Sequence, residues 1–189
     1  MKFKIGVYGS ATDESSDLTN FAQIIGKEIA ESGNIIITGA CRGLPFDAVV
    51  SCKKNGGYSI GYSAVCQVSD HEKLMGTALE NYDKLELIPQ DYKHKNSIEV
   101  CRKYRNVSSV ADCDAALFIS GRWGTLNEFA IAYDMGKVIG VLTGAGKFAS
   151  HAEDLIKLFN KKTTCKIFFD NDPQRLCSKL FAQIKDKSV

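Results

Sequence analysis

The sequence predicts an α/β protein: a doubly wound, Rossmann-like parallel sheet flanked by helices, in a single domain spanning residues 1–189. Three observations carry that prediction. Short apolar runs alternate with amphipathic stretches at helical spacing. The connections between them are short, as in repeated strand–helix units. Runs such as Ile35-Ile36-Ile37 and Ala115-Ala116-Leu117-Phe118-Ile119 are apolar at every position, as strands covered on both faces must be.

Taken in order, Phe3, Ile5 and Val7 alternate with small or polar residues, and Gly9-Ser10 closes the first strand. Leu18, Phe21, Ile25 and Ile29 recur at helical spacing until Gly33 stops the helix. The strand Ile35–Ile37 runs into Thr38-Gly39-Ala40-Cys41-Arg42-Gly43, and a helix follows from Leu44 to about Lys54. After the Gly56-Gly57 turn, Tyr58 to Val65 reads as a third strand. The polar stretch from Cys66 to Asn81 has no clear period, and Lys84 to Ile88 reads as a further strand. A helix is expected from about Lys95 to Val110, then the buried strand 115–119. The turn Ser120 to Gly124 leads into a helix that begins near Thr125 and runs through Ala132. Val138 to Leu142 is the next strand, closed by Gly144-Ala145-Gly146. A helix over 151–159 and the strand Ile167-Phe168-Phe169 follow. Asp172-Pro173 opens the last helix as N-cap and first residue, with Leu176, Leu180 and Ile184 on one face.

Composition removes several classes of function. With 24 basic and 22 acidic residues, the net charge is +2, so bulk charge argues for neither a nucleic acid polymer nor a membrane surface. Seven scattered cysteines contain no CxxC or CxH pair, which disfavours a zinc knuckle or a redox motif and fits thiols in a reducing compartment. The amino terminus enters a strand directly, and no apolar run is long enough to span a bilayer, so a cytoplasmic location is expected. No cluster of histidines or carboxylates has metal-ligand spacing, and neither a metal nor a bound cofactor is expected. His71, His94 and His151 belong to no motif and read as surface residues; Lys53-Lys54 and Lys161-Lys162 read as solvated helix ends.

In a doubly wound sheet, ligands sit beyond the carboxyl ends of the strands where strand order reverses. The strongest signal there is Ile119-Ser120-Gly121-Arg122-Trp123-Gly124-Thr125-Leu126-Asn127-Glu128. A buried strand ends, two glycines permit unusual backbone geometry, and amides bared at a helix start, with the Thr125 hydroxyl, suit a phosphate. Glu128 falls one turn along, where it would face a sugar or an attacking water rather than the phosphate. The same residues also fit a plain strand–helix turn with packing glycines and an exposed glutamate.

This motif resembles the fingerprint PGGxGTxxE of the Lonely Guy (LOG) family and its wider SLOG relatives, often labelled lysine decarboxylase-like. Gly121, Gly124, Thr125 and Glu128 match, while Ser120 stands for the proline and Arg122 for the second glycine. The family's arginine, fifteen residues upstream of that proline, falls on Arg105. Val7-Tyr8-Gly9-Ser10 looks like the family's first strand and serine turn, and Gly39-Ala40-Cys41-Arg42-Gly43-Leu44 like its second glycine loop. The likeness spans roughly residues 3–145.

The resemblance implies a phosphoribohydrolase that cleaves the N-glycosidic bond of a nucleoside 5′-monophosphate, releasing free base and ribose 5-phosphate. Glu128 would stabilise positive charge on the ribose and activate water, and Arg105 would hold the nucleotide or orient Glu128 through a bidentate contact. Gly9, Ser10, Gly39, Arg42, Gly43, Gly121, Arg122, Trp123, Gly124 and Thr125 would bind phosphate and nucleotide. A homodimer or higher homo-oligomer is also implied. Active members carry His-Glu-Arg-Lys where this chain has Lys103-Tyr104-Arg105-Asn106. The Arg105-Asn106 pairing looks more like the branch related to molybdenum cofactor carrier proteins, and points to the alternative of a non-catalytic nucleotide- or cofactor-binding module. A literal lysine decarboxylase would need a Schiff-base lysine for pyridoxal phosphate, and the glycine loops offer none.

Overall fold

In the computed structural model, which describes residues 2–12 and 14–186, the alternation becomes one sheet with helices on both faces. Its strands are β1 (Lys4–Gly9), β2 (Ile35–Thr38), β3 (Tyr58–Tyr62), β4 (Lys84–Glu86), β5 (Ala115–Ile119), β6 (Val138–Leu142) and β7 (Lys166–Asp170). They lie in the order β4-β3-β2-β1-β5-β6-β7, and every neighbouring pair is parallel. The helices are α1 (Ser16–Glu31), α2 (Leu44–Lys54), α3 (His71–Met75), α4 (Ile98–Asp112), α5 (Trp123–Asp134), α6 (Lys147–Phe159) and α7 (Pro173–Asp186). The predicted Rossmann-like architecture is the observed one.

The causes are those the pattern contains. Every residue of β5 and β6 is buried, because helices cover both faces of the sheet centre. α1 buries Ala22, Ile25 and Ile29 and packs against α2 and α7. The Asp172 carboxylate accepts the Arg175 amide at 2.8 Å, so it caps α7 as its position before Pro173 suggested. Leu176, Leu180 and Ile184 of α7 join the same core as β1, β5 and β6. No helix of the described residues is long and apolar enough to cross a membrane.

Several boundaries move, each for a local reason. β3 stops at Tyr62 rather than Val65: the Ser63 amide still bonds the Glu86 carbonyl at 2.8 Å, but β4 ends at Glu86 and the paired register goes no further. α4 begins at Ile98 rather than near Lys95: tight turns from Lys95 N–H to Tyr92 and from Ser97 N–H to His94 occupy the preceding backbone. α6 begins at Lys147 rather than His151, after Gly146 at φ +69°. α5 begins at Trp123, two residues before the expected start, and the Arg122 carbonyl accepts the Leu126 amide at 2.9 Å. The unassigned stretch after Cys66 holds α3 between two short 3₁₀ turns.

That stretch also corrects the reading of His71. It is fully buried, not a surface residue. Its two ring nitrogens meet Ser63 Oγ at 2.9 Å and Thr77 Oγ1 at 3.0 Å, and Thr77 donates onward to the Ala40 carbonyl. Burial holds the imidazole below its ordinary pKa, so the ring stays neutral and ties the α3 segment to the loop after β2. His94 and His151 are exposed, as expected.

Candidate functional site

Strand order reverses at β1. The chain steps outward from β1 through β2, β3 and β4, then crosses back to lay β5 on the other side of β1. The loops leaving β1, β2 and β5 therefore meet at one edge of the sheet. They are tied together: the Ser10 carbonyl accepts the Leu44 amide at 3.0 Å, and the Thr125 hydroxyl donates to the Gly9 carbonyl at 3.0 Å.

The turn between β5 and α5 has a defined shape. Ser120 stands at φ +57° and Gly121 at φ +107°. A proline ring, fixed near φ −65°, cannot adopt the Ser120 conformation, so this turn differs from a proline-led one. The Ser120 hydroxyl is buried without a hydrogen-bond partner. The Gly121 carbonyl accepts the Phe148 amide at 2.9 Å, which fastens the turn to the start of α6. Lys147 pairs with Glu14, holding that carboxyl below its usual value despite the cost of burial and closing the β1–α1 loop over the same edge.

Residue by residue, this edge departs from the expected roles. Thr125 is buried, and its hydroxyl is committed to Gly9, which leaves the first amides of α5 as the phosphate donors on offer. Gly124 lies exposed in that first turn, where an added Cβ would meet nothing within 4 Å. Trp123 is 83% exposed. Arg122 is exposed as well and reaches across to Thr12 Oγ1 at 3.4 Å. Ser10 is buried with its hydroxyl on Thr12 at 3.0 Å. Gly43, at φ +87°, sits where a Cβ would strike the Ser10 carbonyl, so it serves the meeting of the two loops.

On the other side of β1, Arg105 projects from α4 beneath the β2–α2 loop. Its Nε donates to Asn106 Oδ1 at 3.2 Å, and Asn106 in turn donates to Asn127 Oδ1 of α5 at 3.0 Å. No bidentate contact joins Arg105 to Glu128, because the neighbouring amide of Asn106 takes the guanidinium. The two charges still sense each other. Glu128 is buried, and burial pushes its carboxyl up to about 7 against the pull of Arg105 and Lys103. Glu128 thus lies on the inner side of α5, near the Tyr8 phenol, rather than on its solvent face.

Arg105 also lines an open cleft of ≈520 Å³ between the β1–α1 loop, the β2–α2 loop, α3 and α4. Arg42, Lys73 and Arg102 line it too, together with Ala11 and Cys41. Arg42 is steadied by its Nε on the Gly76 carbonyl at 3.1 Å. Lys73 and Arg102 belong to no sequence motif. Arg102 was within reach of the sequence, since it lies three residues before Arg105 and so on the same helix face. Lys73 was not, because nothing marked the stretch after Cys66 as a helix. A separate apolar groove of ≈240 Å³ between α5 and α6, lined by Leu126, Phe129 and Leu155, shares no residue with this site.

A parallel sheet with an anion-ready helix start and a basic cleft at its switch point defines a Rossmann-like nucleotide- or cofactor-binding protein. Residues 2–177 match the SLOG cluster4 family, and the chain belongs to it. A search of the curated proteins found no match. Among solved structures, the molybdenum cofactor binding protein of the phototrophic bacterium Rippkaea orientalis is similar at 22% identity and a TM-score of 0.75, covering 98% of each chain. The molybdenum cofactor carrier protein of Chlamydomonas reinhardtii is similar at 19% identity and a TM-score of 0.70, over 98% of this chain and 99% of that one. DNA processing protein A of Helicobacter pylori, described with a single-stranded DNA binding mode, is similar at 14% identity and a TM-score of 0.68, over 96% of this chain and 81% of that one. At these identities the likeness concerns the fold.

Proposed function

We propose that the protein binds a phosphorylated small molecule of the nucleotide or pterin-cofactor class at the carboxyl edge of its sheet, as a binding or carrier module. The phosphate rests on the first amides of α5, and Arg105 supplies facing positive charge. The observation that carries this reading is Gly124. A glycine in an exposed helical turn costs up to about 1 kcal/mol relative to alanine, and no packing contact at this position requires the missing Cβ. Close approach of a ligand to the backbone accounts for it. The basic residues are gathered in one cleft rather than spread along a face, which favours a small ligand over a nucleic acid polymer. A homodimer in the cytoplasm is part of the same reading.

The test is calorimetric titration with AMP, ribose 5-phosphate and adenosine. AMP should bind at least tenfold more tightly than adenosine; equal affinities would remove the phosphate as anchor and end the proposal. Molybdenum analysis of the purified protein separates a cofactor cargo from a plain nucleotide, and a labelled single-stranded oligonucleotide serves as the polymer control.

A second reading, hydrolysis of a nucleoside 5′-monophosphate to base and ribose 5-phosphate, is favoured by Glu128. A carboxyl with a pKa of about 7 beside an arginine is poised to give or take a proton near neutrality. Incubation with AMP and chromatography for free adenine decides it. Release that disappears in both Glu128→Ala and Arg105→Ala supports the enzyme; binding without release leaves the carrier.

A further inference from the structure

The cleft on the Arg105 side holds more positive charge than one phosphate at the α5 start requires. Arg42, Lys73, Arg102 and Arg105 all line it, and none of the four forms an ion pair with a described carboxylate. Among the described residues, no carboxylate lines it at all. Four cations in one cleft repel one another, with only the raised Glu128 carboxyl sensing Arg105, and an anion bound among them relieves that repulsion.

Two glycines make the arrangement sterically possible. A Cβ on Gly39 would lie 2.3 Å from Arg105 Nη1, and one on Gly76 would lie 2.0 Å from Arg42 Nε. Gly76 also closes α3 in the left-handed conformation at φ +73°. The backbone is thus relieved of side chains at the points where the guanidinium groups of Arg105 and Arg42 rest. Arg105 is only 9% exposed, and its Nη1 has no hydrogen-bond partner. A buried, charged donor left unmatched calls for an acceptor, and the cleft that Arg105 lines is where one would enter.

We infer that this cleft is a second anionic subsite, and that the ligand carries a second phosphate-class group beyond the one at α5. The inference rests on the reading above. The two subsites share the β1–α1 loop: Ala11 lines the cleft, and Thr12 meets Arg122 at the start of α5. One molecule with two phosphates can therefore span the switch point. The shared chemistry fits both a nucleoside diphosphate and a nucleoside 3′,5′-bisphosphate.

Calorimetry with AMP, ADP, adenosine 3′,5′-bisphosphate and inorganic pyrophosphate tests it, in the wild type and in a Lys73→Ala, Arg102→Ala double variant. Both side chains are exposed, and circular dichroism checks the fold of the variant. At least one two-phosphate nucleotide should bind tenfold or more tightly than AMP, and that ratio should fall towards one in the variant. The preferred nucleotide separates the diphosphate from the bisphosphate. A wild-type ratio near one, or a ratio the variant leaves intact, overturns the inference. If no nucleotide binds but pyrophosphate does, and the variant loses it, the subsite stands and the nucleotide reading falls. Absence of any two-phosphate binding overturns the subsite.

Discussion

The two sides of β1 solve the same problem in opposite ways. On the β5 side, most polar groups are matched within the protein, the buried Ser120 hydroxyl excepted: Thr125 bonds Gly9, the Gly121 carbonyl takes the Phe148 amide, and Glu14 pairs with Lys147. What this side offers a ligand is backbone, the opening amides of α5. On the β2 side, Arg105 and Arg42 are seated against bare glycines, Arg105 Nη1 has no hydrogen-bond partner, and the cleft they line holds no carboxylate among the described residues. The first side offers shape and the second offers charge. A rigid turn positions a phosphate without net charge of its own, whereas unmatched cations hold an anion wherever it fits. A ligand that uses both must lie across β1.

The sharpest break of that comparison is Arg105→Ala. If Arg105 exists for the ligand, its removal should lower affinity for the best phosphorylated ligand by about 100-fold, or ~3 kcal/mol, as for other desolvated charge contacts. Thermal stability should change little, because relief of the unmatched Nη1 offsets the lost Nε bond to Asn106. A fall in Tm with unchanged affinity would make Arg105 a structural residue and erase the asymmetry between the two sides.

Glu128 sharpens the comparison from inside the closed side. Its carboxyl is raised from 4.5 to about 7 in the folded protein, chiefly by burial. Below pH ~4.5 both folded and unfolded forms are protonated, and nothing is lost. Between about 4.5 and 7 the unfolded chain releases the proton while the folded protein keeps it, so stability declines as pH rises and levels off above 7. The full span is on the order of 3 kcal/mol. Urea denaturation of wild type and Glu128→Gln from pH 4 to 8 should therefore diverge with rising pH, the variant becoming the more stable. Parallel curves would mean that the carboxyl titrates normally and is solvated.

How much of this was legible beforehand follows a physical line. β5, β6, α1 and α7 were readable because their periodicity is the direct imprint of burial on one face or two. The loop glycines and Arg105 stood out because they fall in motifs at strand ends, and the fold brings those loops to the switch-point edge. Their exact roles were not. Thr125 was assigned to phosphate, yet only the three-dimensional crossing of α5 over β1 shows that Gly9 claims its hydroxyl. The basic cleft was half visible: Arg42 and Arg105 lie in or beside motifs, but Lys73 sits on a helix of five residues too short to show a period. His71 was missed for a similar reason, since Ser63 and Thr77 lie in irregular segments whose convergence no local pattern encodes.

Gly124→Ala tests the closed side at smaller scale. The added methyl meets no protein atom, so helix propensity should raise stability by up to about 1 kcal/mol. If a phosphate seats on the α5 amides, the same methyl should cost roughly tenfold in affinity, about 1.4 kcal/mol. Opposite signs in a thermal melt and a titration are the expected signature. A gain in stability with no loss of affinity would show that the phosphate does not approach this turn.

The smallest expected effect belongs to Arg122, which stands at the second-glycine position of the fingerprint that the motif resembles. Its contact with Thr12 is long and exposed, so Arg122→Ala should change stability by no more than about 0.5 kcal/mol. Its influence on binding decides what the departure from glycine means. A guanidinium that swings onto the phosphate should make Arg122→Ala weaken binding a few-fold, with a shallower dependence of affinity on salt. One that lies over the amides as a plug should make the same change tighten binding. The sign of a calorimetric titration at two salt concentrations separates them. A bridge to the β1–α1 loop, as the geometry has it, leaves the α5 amides open, so the weaker-binding outcome is the one expected.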